Sequence, residues 1–72
     1  MSHFDYINRI KREDAFIRNQ ATGTSIEFAK KMGVSRRTIF SDMDLLKSKG
    51  AEINFNKSSK TFFYQNKFAL FF

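Results

Sequence analysis

Apolar residues recur with a helical period over the first two thirds of the chain and with a period of two after that. Over residues 3–20, Ile7, Ile10 and Ile17 share one face, with Phe4 and Phe16 beside it, the stripe of an amphipathic helix. Asp14 falls within that stripe and weakens its middle. Ser2 stands at the capping position, and "ATG", with Gly23 as the breaker, predicts the stop. A second helix is predicted over 25–32. Thr24 with Glu27 three residues on forms a capping box, and Phe28, Ala29 and Met32 point inward. Gly33 can take the left-handed conformation that a tight turn between helices requires. A third helix follows over 36–49, capped by Ser35. Ile39, Met43 and Leu46 form its buried face, and Val34 can staple it to the same core. Lys47 and Lys49 suit the negative end of its dipole, and Gly50 ends it.

The alternation in "EINFN" places Ile53 and Phe55 on one face of a strand over 52–56. "KSSK" is a polar turn, and a return strand is predicted over 61–66. The run Phe62, Phe63, Tyr64 is aromatic throughout, so the facing of these three stays open. In the apolar tail, 67–72, Phe68, Leu70 and Phe72 alternate and can line one face of a strand. Exposed, such an edge would aggregate, so the tail is expected to pack on the domain or to pair across a homodimer.

Two helices joined by a glycine turn make a helix-turn-helix. A helix before them and a basic-tipped hairpin after them make the winged variant. The expected fold is therefore α+β: three helices followed by a β-hairpin wing, in one domain spanning 1–72. The length of 72 residues agrees with one small domain, and ten phenylalanines give it large side chains to bury.

Charge brings in a partner class. The net charge is +6 and the pI near 10, which favours a polyanion, nucleic acid first. Bases and acids number four and three in residues 1–23, six and three in 24–50, and three and one in 51–72, so the excess lies in the middle and end of the chain. The chain has no cysteine, which removes disulfides and thiolate metal sites. "MSHFDYINRIKR" is charged and lacks the apolar run of a signal peptide. No stretch approaches the ~20 apolar residues of a membrane helix. These features lead us to expect a cytoplasmic, nucleoid-associated protein without membrane contact.

The segment "IEFAKKMGVSRRTIFSDMDLLKSKG" resembles the winged helix-turn-helix of DeoR-type bacterial transcriptional regulators. The likeness is strongest to small stand-alone versions, in which "ATGT", "FAKKMGVSRRTIF", "LKSKGAEI" and "FFY" have counterparts. It covers roughly residues 7 to 66 and is most specific from Ala29 to Ile39. It implies binding of double-stranded DNA, with the third helix as the recognition helix. DeoR-like proteins often carry basic residues where Phe40 and Ser41 stand, so base preference does not carry over. Full-length regulators of this type also carry a ligand-binding domain, which these 72 residues do not contain.

Arg36 and Arg37 sit at the N-terminal end of the third helix, where a cation costs about 0.3–1 kcal/mol against the dipole. Contact with DNA would offset that cost. The N-terminal part of a recognition helix enters the major groove, and arginine pairs bidentately with guanine or grips phosphate. The residues four positions on, Phe40 and Ser41, offer neither arginine an ion pair. Thr38 can reach a phosphate or thymine methyl, or serve as a structural hydroxyl between helices. Phe40 can meet a thymine methyl, the first helix or a partner. Ser41 can reach phosphate or base. Ser35 and Ser25 lie at helix N-termini, where backbone N–H groups and hydroxyls either cap or hold a phosphate. Lys57, Ser58, Ser59 and Lys60 form the wing tip, either a phosphate contact or a plain polar turn. Lys30 and Lys31 read as solvated. Asp42 matches an acid common in the resembling family. DNA would repel it, so it is expected to pair with a basic side chain of another helix. Asp44 is expected to be solvated and paired with Lys47 at i+3.

His3 is the only histidine, and no nucleophilic triad, carboxylate pair, phosphate loop or metal-ligand pattern can be built. No enzyme, cofactor, metal or small-molecule ligand is expected. Three functions compete: a sequence-specific DNA-binding protein (a transcriptional regulator or an accessory factor of mobile DNA), a protein-interaction module on a winged fold, and a non-specific nucleoid binder.

Overall fold

The computed structural model describes residues 3–71, with side chains from Asp5 to Phe71. The Ser2 cap and the side chains of Phe4 and Phe72 lie outside the described residues. Helices α1 (His3–Arg18), α2 (Ser25–Met32) and α3 (Arg36–Ser48) precede strands β1 (Ile53–Asn56) and β2 (Thr61–Tyr64). The strands pair antiparallel, with Ile53 opposite Tyr64 and Phe55 opposite Phe62. Three helices followed by a two-stranded hairpin form a winged helix-turn-helix.

The caps of α2 and α3 follow the side chains that specify them. Thr24 accepts from the Glu27 amide while the Glu27 carboxylate accepts from the Thr24 amide, closing the capping box. Gly33 ends α2 at φ 70°, in the left-handed region. Ser35 accepts from the Thr38 amide at 3.2 Å and caps α3.

The end of α1 differs from expectation. The helix stops at Arg18, and the left-handed residue is Gln20 (φ 53°), with its carbonyls taken up by the Asn19, Gln20 and Ala21 amides. Gly23 has a different task. Its φ is 69°, and a Cβ there would meet the Glu27 side chain at 3.0 Å, so it lets the capping box close. Between these two residues Thr22 is fully buried. Its amide donates to the Thr61 hydroxyl (3.3 Å), the two hydroxyls lie 3.1 Å apart, and the Phe62 amide donates to the Thr22 hydroxyl (2.8 Å). The α1–α2 connection is thus fastened to the free edge of β2, which blunts that edge.

The core is one cluster: Ile10 and Ile17 from α1, Phe28, Ala29 and Met32 from α2, and Ile39, Met43 and Leu46 from α3, closed by Ala51 and Phe68. Val34 packs against it at the turn. The aromatic run resolves: Phe62 and Tyr64 pack on the core and Phe63 does not. Phe62 stacks edge-on to Phe55, with centroids 5.0 Å apart, and lies 6.3 Å from Phe28. The hairpin is shorter than expected at its base. Asn66 accepts from the Glu52 amide and donates to the Gly50 carbonyl, which ends the ladder with a side chain.

The tail forms no strand over 67–71. Phe68 is buried against Tyr64, with centroids 5.1 Å apart, and its carbonyl accepts from Arg18 at 2.9 Å. Phe71 stands out at 78% exposure. The Phe68 side chain therefore holds the fold and that of Phe71 does not, while Leu70 between them packs partly on the core. Phe68→Ala is expected to cost about 2 kcal/mol, the transfer term of a buried phenylalanine, while Phe71→Ala should stay within about 0.5 kcal/mol of wild type. Urea unfolding of both variants checks this, and equal midpoints would refute the division.

Candidate nucleic-acid interface

Burying Ile39, Asp42, Met43 and Leu46 turns the opposite face of α3 to solvent. That face carries Arg36, Arg37, Phe40, Ser41, Asp44, Lys47 and Ser48, all exposed. Phe40 is 44% exposed and packs on nothing in the core. Among the described residues, Arg37 has no carboxylate partner. Arg36 is tied across the turn, its Nε donating to the Ser25 hydroxyl at 3.1 Å. This contact joins two of the predicted site residues, the first of α2 and the first of α3.

The other α3 candidates divide. The Thr38 hydroxyl lies 3.1 Å from that of Ser35 and is half-buried, so both residues serve the cap. Ser41, exposed, lines an open cleft of about 310 Å³ with Arg37, Thr38, Asp42, Tyr6 and Arg9. Asp42 faces inward, as expected. The Arg9 Nε and NH2 groups donate to its two oxygens, each at 2.8 Å. Its bond with Asp42 raises the Arg9 pKa further above its ordinary value. Of the two acids on α3, one is thereby neutralised against α1 and only Asp44 remains on the exposed face. No ion pair joins Asp44 to Lys47 among the described residues.

The wing presents its own basic tip. Asn56 accepts from the Ser58 and Ser59 amides, which tightens the turn over 57–60, and Lys57, Ser58 and Lys60 are exposed. Lys60 takes a left-handed φ of 52°. Among the described residues these side chains share no hydrogen bond with α2 or α3. The Glu27 carboxyl is held below its usual range, first by the Thr24 backbone bond, with smaller contributions from the Lys31 and Lys60 charges. Lys31 is exposed, as expected, and also donates to the Ala21 carbonyl at 2.8 Å and sits over the Phe16 ring.

Sequence reasoning missed Tyr6 and Arg9, which wall the cleft beside α3. The one available signal was the i, i+4 spacing of Arg9 and Glu13, which marks a charged stripe on α1. Among the described residues no group of acids and histidines could hold a metal ion, and no helix is long and apolar enough to cross a membrane.

The fold and this exposed, basic face define a winged helix-turn-helix protein, an architecture whose second motif helix docks in the major groove. The family model "HTH domain" matches residues 15–59, and the chain belongs to that family. The match is to the helix-turn-helix domain in general and does not single out the DeoR type. Comparison with curated proteins and with solved structures finds no match.

Proposed function

We propose that the protein is a sequence-specific DNA-binding transcriptional regulator that inserts α3 into the major groove and rests its wing on the backbone. One observation carries this reading. The solvent face of α3 begins with two arginines, while the acid that would repel DNA there, Asp42, is folded inward onto Arg9. Ser41 lies one turn from Arg37, within reach of the same groove. The Ser25 hydroxyl, the first amides of α2 and the wing lysines Lys57 and Lys60 supply positions for phosphate. Ser58 lies between those lysines and adds a hydroxyl. The exposed Phe71 suits a homodimer, which would place two recognition helices on one duplex.

Fluorescence anisotropy with a random duplex across a salt series tests the reading. Wild type should weaken linearly in log–log with salt. The folded Arg36→Ala/Arg37→Ala variant should bind weakly and with a flatter slope. A wild type that binds no duplex at low salt, even as a verified dimer, sinks the proposal. It would move the function to a protein partner of the α3 face, which the exposed Phe40 would suit.

A further inference from the structure

Resting on the DNA-binding reading, we infer that the two arginines divide the work: Arg37 reads a base, guanine by its chemistry, and Arg36 grips the backbone. Helix geometry separates them. At about 100° per residue, Arg37 lies roughly 170° from the buried direction set by Ile39, Asp42, Met43 and Leu46, while Arg36 lies only about 70° from it. Arg37 is therefore at the crest of α3, and Arg36 is on its flank. Ser41 and Asp44 share the crest, each about 150° from the core direction.

Contacts on the two sides agree with that geometry. Arg36 is drawn to the α2–α3 seam by its bond to the Ser25 hydroxyl, at 3.1 Å. In a helix-turn-helix the first helix crosses the sugar–phosphate backbone, so a guanidinium held at the N-terminus of α2 faces phosphate. Arg37 rims the open cleft with Ser41 and has no carboxylate or hydroxyl partner among the described residues. Its planar fork is free to meet guanine O6 and N7 in the bidentate pairing that specifies a base. Arg36 already uses its Nε on Ser25, which leaves the terminal NH2 groups for a phosphate oxygen.

Selection from a randomised duplex library, with wild type and the single variants Arg36→Ala, Arg37→Ala and Arg37→Lys, tests the division. Each variant is first shown to be folded by circular dichroism. Wild type should enrich sites with a guanine at one fixed position. Arg37→Ala should lose that preference, about tenfold to a hundredfold in discrimination, while keeping most of its affinity for random duplex. Arg37→Lys keeps the charge but not the fork and should lose the preference as well. Arg36→Ala should keep the preferred base, weaken all sequences alike and lower the salt slope by about one. An Arg37→Ala variant that selects the same sites as wild type overturns the assignment, as does an Arg36→Ala variant that changes the preferred base. A wild type that binds duplex with no enriched base also overturns it but leaves DNA binding standing. A wild type that binds no duplex fails the underlying reading instead.

Discussion

Replacing Arg9 by alanine is expected to cost about 3–5 kcal/mol, the range for removing one partner of a buried ion pair. A chain of 72 residues holds roughly 4–11 kcal/mol in total, so much of the variant should be unfolded at room temperature. Asp42 is buried, and Arg9 donates to both of its oxygens. Without the guanidinium it would be a desolvated carboxylate beside a second buried acid, Glu13. The pair is also the polar link between α1 and α3. Lysine will not rescue the site, because one ammonium cannot reproduce the two parallel bonds. The double variant Arg9→Met/Asp42→Leu should recover most of the loss, since matched apolar residues often replace a buried ion pair at little cost. Urea unfolding followed by circular dichroism compares the three proteins. A single variant that loses less than about 1 kcal/mol would show the pair to be dispensable.

The parts of the fold that were legible are those in which a particular side chain must stand at a particular spacing. A capping box needs Thr24 and Glu27 three apart, and a left-handed turn between helices needs Gly33, so α2 and α3 could be read almost to the residue. Asp42 was legible because an acid expected to avoid DNA was assigned a basic partner on another helix, and Arg9 is that partner; Asp44 on the same helix stays exposed. The exposure of Arg36 and Arg37 was legible, but not how each is held. Nothing in the order of Arg36 and Arg37 shows that only one of them meets Ser25, since that contact depends on how α2 and α3 cross.

Three features escaped for identifiable reasons. Asp14 looked like the intruder in the α1 stripe, yet it is half-buried and satisfied, accepting from Tyr64 at 2.6 Å and from Arg18 at 2.8 Å. The acid inside the core is its neighbour Glu13, which lies between Ile10 and Ile17 at helical spacing. A charged residue on an apolar stripe is easily assigned to the rim when its partners are thirty residues away. Thr22 escaped because a single buried hydroxyl has no period. The alternation of the tail suggested a strand, but Phe68 is held by Arg18 and Tyr64 instead of by a ladder.

Glu13 should make the domain lose stability as pH rises, and Glu13→Gln should abolish that loss. The residue is 2% exposed, and neither carboxylate oxygen has a donor among the described residues. The Arg9 Nε lies 3.9 Å away, and it is committed to Asp42 at 2.8 Å. With one guanidinium and two carboxyls in the cluster, a proton on Glu13 settles the balance. Burial, then the hydrogen bond and charge of Asp42, push its carboxyl up to about 9, with Arg9 opposing. Tyr64 is the further titratable group that feels it, and its hydroxyl is raised by burial and the bond to Asp14. Between about 4.5 and about 9 the folded chain therefore keeps a proton that the unfolded chain releases. The folded state binds more protons, so stability is full below the lower value and falls as pH rises toward the upper one. The loss is at most about 1.4 kcal/mol per pH unit, less where solvent reaches the cluster. Glutamine keeps the shape and neutrality of the protonated acid without a titration. The two proteins should match near pH 4, and the variant should be the more stable by pH 8, by roughly 2–3 kcal/mol. Urea midpoints at each pH unit decide it. Parallel curves for the two proteins would mean that Glu13 is solvated well enough to ionise in the native state.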